Sequence, residues 1–325
     1  MNHSYRDLLL AIGEVNGLVV VLDAGLGTSM QTEGFARAFP DRYFNLGIAE
    51  QNAVSVAAGL ARQGFIPLVH TFSNFLSRRA HDQIALSVAW PGCHVKLVAG
   101  SCGLFDGRNG PSHTAIDDLS GICALPGMAV LEPGDMAQTE SLLSWAVNTP
   151  GPCYLRLRRH GAPQNLLPER EHIPGTTLVH ASNAPQCTLV ACGSMLETVM
   201  RAAELLQDYG CALDLIHISR IRPLDAAPIL HSIARSGRLF TIENHVSSGG
   251  ASDLIAQAIG PVGVPHFRLA LPDEFLPAGA PEWLLGYCRL DAACIAERIA
   301  AILSGDSYVS IYNSLPGRSE TQPTR

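Results

Sequence analysis

Short runs rich in Val, Leu and Ile alternate along the chain with longer stretches whose apolar residues recur at helical spacing, and Gly, Pro, Asn and Asp separate them. In the first half this pattern predicts strands over 18–22, 43–46, 66–71, 95–100, 129–132 and 154–158, with helices over 52–62, 75–88 and 135–148. Between 161 and 186 the prolines Pro163, Pro168, Pro174 and Pro185 interrupt any period, as in a linker. A second series follows, with strands over 188–192, 213–219 and 238–243 and helices over 195–209, 252–259 and 291–303. Residues 305–325 are polar and aperiodic and read as a disordered tail. Strand and helix in alternation indicate an α/β fold of two domains, 1–160 and 187–304, each a mainly parallel sheet flanked by helices.

One position breaks the pattern. Glu50 follows the turn-forming Gly47 and opens an otherwise apolar stretch, Ala53 to Ala61. A carboxylate in such a segment needs a hydrogen-bond partner, either the free backbone N–H groups of a helix start or a ligand.

Composition narrows the class. Charged residues are only 16% and hydrophobic residues 47% of the 325, which suggests extensive burial, including at a subunit interface. A net charge of -7, with basic residues that are nearly all Arg, argues against a nucleic-acid surface. No run approaches the roughly 20 apolar residues of a membrane span, and the first ten residues lack a leader pattern, so a cytoplasmic protein is expected. The nine cysteines include no C-x-x-C pair and several sit in strand-like runs, so they read as buried reduced thiols.

A series of motifs then appears in order: V-V-V-L-D-A-G-L-G-T-S from Val19, F-P-D-R-Y-F-N-L-G-I-A-E-Q-N from Phe39, and H-T-F-S-N-F-L-S-R-R-A-H-D-Q-I from His70. They continue with N-G-P-S-H-T-A-I-D-D from Asn109, L-P-G-M-A-V-L-E-P-G-D from Leu125, P-C-Y-L-R-L-R-R from Pro152 and F-T-I-E-N-H-V-S-S-G-G from Phe240. Across nearly its whole length the chain resembles the C-terminal half of transketolase, in particular the small subunit of the split two-gene enzymes. The resemblance implies a pyrimidine-binding domain for thiamine diphosphate and a transketolase C-terminal domain. The Gly-Asp-Gly signature that holds the diphosphate and its Mg2+ or Ca2+ in this family is absent from the sequence. A large subunit is therefore implied as the main holder of diphosphate and metal, in an α2β2 assembly, with transfer of a two-carbon ketol unit from a ketose or its phosphate to an aldehyde.

The same resemblance assigns roles. Glu50 is the carboxyl that bonds the aminopyrimidine ring nitrogen, which requires it to share or donate a proton, as an apolar, water-poor site favours. Ile48, Phe72 and Phe75 belong to the cofactor pocket, with Phe72 as the stacking ring. His113 faces the substrate as a proton carrier, and Ser29, Arg78, Ser101, Asn109 and Arg159 line the substrate channel, Arg159 as a phosphate ligand and Arg78 as a possible carboxylate contact. Arg156 and Arg158 share one face of a strand and Arg159 the other. Three positions depart from the family: Gly25 and Asn109 replace aspartates and Ser101 replaces a histidine. A specialised substrate is the expectation. Two rivals remain: a 2-oxo acid decarboxylating enzyme, like deoxyxylulose phosphate synthase or a dehydrogenase β subunit, and a non-catalytic scaffold subunit.

Overall fold

The computed structural model describes residues 4–158, 162–168 and 174–305. Among the described residues twelve strands form two sheets: β1 (Val19–Asp23), β2 (Tyr43–Asn45), β3 (Ile66–Phe72), β4 (Lys96–Gly100), β5 (Ala129–Leu131), β6 (Cys153–Arg156), β7 (Thr176–His180), β8 (Cys187–Cys192), β9 (Leu213–Ile218), β10 (Arg220–Arg222), β11 (Leu239–Val246) and β12 (His266–Leu271). The first sheet has the order β10-β5-β6-β4-β3-β1-β2, the second β12-β11-β8-β9-β7. All pairings are parallel except β10 with β5 and β7 with β9. Every residue of β1, β3, β4, β8 and β9 is buried, because helices cover both faces of each sheet. This is the two-domain α/β class that the alternation predicts.

The differences have local causes. Residues 176–180, within the expected linker, form β7: Thr176 to His180 pair antiparallel with β9 at the edge of the second sheet, and the prolines on either side conceal a five-residue strand. β10 was not expected at all. Its three residues directly follow β9, yet they cross to the edge of the first sheet, so the two sheets are joined by main-chain hydrogen bonds. The helix expected over 75–88 is wound as two π-helical segments, Phe75–Arg79 and Ile84–Ala89, around a short α turn at His81–Gln83. The helix Tyr5–Val15, capped by Ser4 and Asp7, also went unpredicted, because apolar and polar residues mix within its first turns. The expected tail lies outside the described residues from 306 onward.

The domains are locked together around Arg156. Its side chain is wholly buried, with Nε 3.0 Å from Asp118 Oδ2 and Nη1 2.9 Å from Glu132 Oε1. Nη2 donates to the Ala115 and Asn244 carbonyls at 3.2 and 3.0 Å. Glu132 also accepts from the backbone N and hydroxyl of Ser194, and Asn244 Oδ1 accepts from Leu104 N at 2.8 Å. Gly103 makes the last contact possible: its φ is +59°, and an added Cβ would come within 2.1 Å of the Asn244 side chain, far inside van der Waals contact. Burial opposes the charge on Asp118, but Arg156 and His245 outweigh it and hold that carboxyl below its usual range. Arg156, one of three neighbouring arginines in the sequence, is thus structural. Replacing it by Leu leaves two buried carboxylates without their cation, and urea denaturation is expected to report a loss of about 3–5 kcal/mol. A loss below about 1 kcal/mol contradicts this account of the network.

Buried imidazoles give the fold a pH dependence. Burial pushes His70, His217 and His266 down from 6.5 to about 4. Below their ordinary value the unfolded chain takes up protons that the folded chain refuses, so their contribution is complete above 6.5 and is lost as pH falls toward 4. Glu243 acts in the opposite sense, since burial raises it to about 7 and the folded carboxyl keeps a proton that the unfolded one has released. Three histidines outweigh one carboxyl. The urea midpoint is expected to fall between pH about 7 and about 5, and a rise over that range contradicts the assignment.

Candidate active site

The carboxyl ends of β1 to β4 and the segments that follow them carry most of the predicted site residues, the usual place for a ligand on a parallel sheet. β2 ends at Asn45, Gly47 turns the chain at φ +70°, and the helix Glu50–Arg62 begins directly with the acid. Glu50 is 4% exposed, in the first turn, where the helix dipole favours a negative charge. Its Oε1 lies 3.0 Å from Nη1 of Arg79. The carboxyl therefore has the partner its burial demands, but that partner is a cation rather than the purely apolar surroundings expected of it.

β3 ends at Phe72, and Phe75 opens the π-helical turn that follows. The two rings lie 5.6 Å apart, and His113 meets both edge-on, at 5.8 Å from Phe72 and 5.3 Å from Phe75. Phe72, expected to be the stacking ring, is only 2% exposed and serves as the floor of this group. Phe75 is half-buried and presents the more open face, over which the Arg79 guanidinium lies at 4.0 Å. His113 is held from its own loop, with Nδ1 2.8 Å from the Ser112 hydroxyl, while Asn74 Nδ2 donates to the Pro111 carbonyl at 3.1 Å. Ile48 is 80% exposed beside the turn that leads into Glu50. A buried carboxyl next to a half-open aromatic face offers a hydrogen-bonding edge and a stacking surface, which fits an aminopyrimidine ring. Among the described residues no group of three or more His, Cys, Asp or Glu is placed to hold a metal ion.

The channel candidates are more dispersed. Arg78 is exposed and binds both oxygens of Asp117, at 2.8 and 2.9 Å. Ser101 is buried at φ +58° after β4, so its position shapes the backbone rather than the surface. Ser29 lines a small cavity with Met30, Asp135 and Arg158. Asn109 lines a cavity of about 870 Å³ between the domains, which Arg158 also borders. Arg159 lies outside the described residues. Asp23, next to the Gly25 departure, is buried and bonds Leu26 N at 2.6 Å and the Thr32 hydroxyl at 2.7 Å, bracing the loop that carries Ser29.

Two arginines were missed by sequence reasoning. Arg79 stands four residues after Phe75, a spacing that places them on one helical face and was a readable signal. Arg158 lies 3.7 Å over the Phe105 ring, with Nε and Nη1 buried and without a hydrogen-bond partner among the described residues, and burial lowers it from its usual value. No spacing rule links it to Phe105, which lies far away in sequence.

Comparison with known proteins identifies the family. Residues 1–164 match the pyrimidine-binding domain of transketolase and residues 175–295 the transketolase C-terminal domain. The chain is 33% identical over 285 residues to the 6-deoxy-6-sulfo-D-fructose transketolase subunit SqwH of Clostridium sp., covering 87% of this chain and 88% of that one. It is also 33% identical over 304 residues to 1-deoxy-D-xylulose-5-phosphate synthase 1 of Geobacter sulfurreducens, covering 92% of this chain but only 47% of that longer enzyme. A split-gene transketolase solved as an inactive β4 tetramer superimposes with a TM-score of 0.82 at 34% identity, over 93% of this chain and 97% of that one. The chain belongs to the transketolase family, as a C-terminal section that carries the pyrimidine-binding and C-terminal domains of a split enzyme.

Proposed function

We propose that this chain is the small subunit of a thiamine-diphosphate-dependent transketolase, moving a two-carbon ketol unit from a ketose donor to an aldehyde acceptor when joined to a large subunit. The observation that carries the reading is the buried Glu50 carboxyl, linked through Arg79 to the half-buried ring of Phe75. When bound, the cofactor supplies a carbon nucleophile that holds the electron pair released as a carbon–carbon bond breaks. Glu50 holds a proton at the pyrimidine nitrogen, Phe75 covers one ring face over the floor made by Phe72, and Ile48 extends the wall toward the partner. His113 exchanges a proton with a substrate hydroxyl, since an imidazole serves as donor or acceptor near neutral pH. The large subunit supplies the diphosphate and Mg2+ or Ca2+ ligands, in an α2β2 assembly.

Gly25 and Asn109 support a specialised substrate, because each stands where the family uses a carboxylate in the channel. The relative named for 6-deoxy-6-sulfo-D-fructose makes a sulfonated ketose worth testing beside phosphorylated ones. A second reading, decarboxylation of a 2-oxo acid, is favoured by the adjacent Arg78 and Arg79 and by the likeness to 1-deoxy-D-xylulose-5-phosphate synthase.

Calorimetry with thiamine diphosphate and magnesium, on this chain alone and on its mixture with the large subunit, tests the reading. Tight binding is expected in the mixture only, and Glu50→Gln is expected to lower turnover by roughly 100-fold or more while the fold is kept. No binding by the mixture makes the scaffold reading the better one. Because the Arg78–Asp117 pair is exposed, Arg78→Ala is expected to change stability by less than about 1 kcal/mol in urea denaturation. A larger loss contradicts Arg78 being free to meet a substrate carboxylate.

A further inference from the structure

The geometry points to Arg79 as the resident occupant of the slot that the aminopyrimidine takes, a positioning residue that holds Glu50 until the ring displaces it. One side chain meets both features the ring needs: its Nη1 is 3.0 Å from the Glu50 carboxyl and its guanidinium carbon sits 4.0 Å from the centroid of the Phe75 ring. A planar cation that pairs with an acid at its edge and an aromatic ring at its face imitates a planar heterocycle. The two occupants exclude each other chemically as well as sterically. Toward Arg79 the Glu50 carboxylate acts as an acceptor, whereas toward a ring nitrogen that carries no hydrogen it must act as a donor.

The surroundings let the side chain leave without moving the backbone. Half of the Arg79 side chain is exposed, so the guanidinium has a path to solvent. Its carbonyl accepts from Gln51 Nε2 at 2.9 Å, which pins this turn to the start of the helix that carries Glu50. Its neighbour Arg78 pairs at the surface with Asp117 instead, so the two arginines are divided between the loop of His113 and the acid. In the unassembled chain Arg79 keeps a buried carboxylate paired, which otherwise would stand without a partner.

The inference rests on the ketol-transfer reading for the identity of the ring, and its test needs no partner. The probe is 4-amino-5-hydroxymethyl-2-methylpyrimidine, which has the ring and lacks the diphosphate, titrated calorimetrically into the full chain. Arg79→Gln is expected to bind the probe about tenfold more tightly than the unaltered chain, because the competing ion pair is gone. Arg79→Lys, which keeps a cation, is expected to stay near the unaltered chain, and adding Glu50→Gln to Arg79→Gln is expected to erase the gain. Equal or weaker binding by Arg79→Gln, or no detectable binding by any variant, overturns the proposal. Failure of the ketol-transfer reading shows itself separately, as an assembled enzyme that binds no thiamine diphosphate.

Discussion

The buried charges around Arg156 are the constraint on which the rest of the molecule depends. A guanidinium removed from water is stable only if its donors all find acceptors, and here they come from the 115–118 segment, from Glu132 and from the Asn244 carbonyl of the second domain. Three pieces of chain, which main-chain hydrogen bonds such as Val246 N to the Ile116 carbonyl also bring together, are thereby fixed to one point. Tyr154, two residues before Arg156 on the same strand, adds its hydroxyl to Asp118 at 2.9 Å. His245 completes the join from the other domain, accepting from Leu119 N at 3.2 Å.

This join positions the chemistry. Asp118 opens a short helix whose preceding residues run back through Asp117, the partner of Arg78, to His113. The loop that brings His113 against Phe75 is thus held at one end by a buried ion network and at the other by Asn74, whose amide donates to Pro111. The fixed part of the site is built from β3, the His113 loop and the helix start at Glu50. Around it lie the exposed groups Ile48, Arg78 and Arg79, where a partner and a ligand have room to act.

How far the sequence revealed this depended on the kind of signal each residue leaves. Glu50 was legible because an acid within an apolar helix is costly wherever it stands, and Phe72, Phe75 and His113 were legible through their motifs. Which aromatic ring is open was not, since F-x-x-F states a spacing and the burial of Phe72 depends on what packs behind it. Arg156 and Arg158 were expected on one face of a strand; the strand ends at Arg156, and alternation in any case separates two faces without saying which one meets buried carboxylates 24 and 38 residues away in sequence. The strand β10 left no signal, being three residues long, and yet it joins the sheets. The π winding that brings Phe75 and Arg79 to the Glu50 carboxyl is likewise set by tertiary packing, not by a pattern in the residues.

The central claim is that this chain holds the pyrimidine half of a site completed by another subunit. A structure of the two-subunit complex with thiamine diphosphate tests it most directly, through the distance from the Glu50 carboxyl to the pyrimidine ring nitrogen. A separation of about 2.6–3.2 Å, with the ring over Phe75, is the predicted result. A cofactor bound with its ring elsewhere, and Glu50 still facing no ligand, contradicts the account.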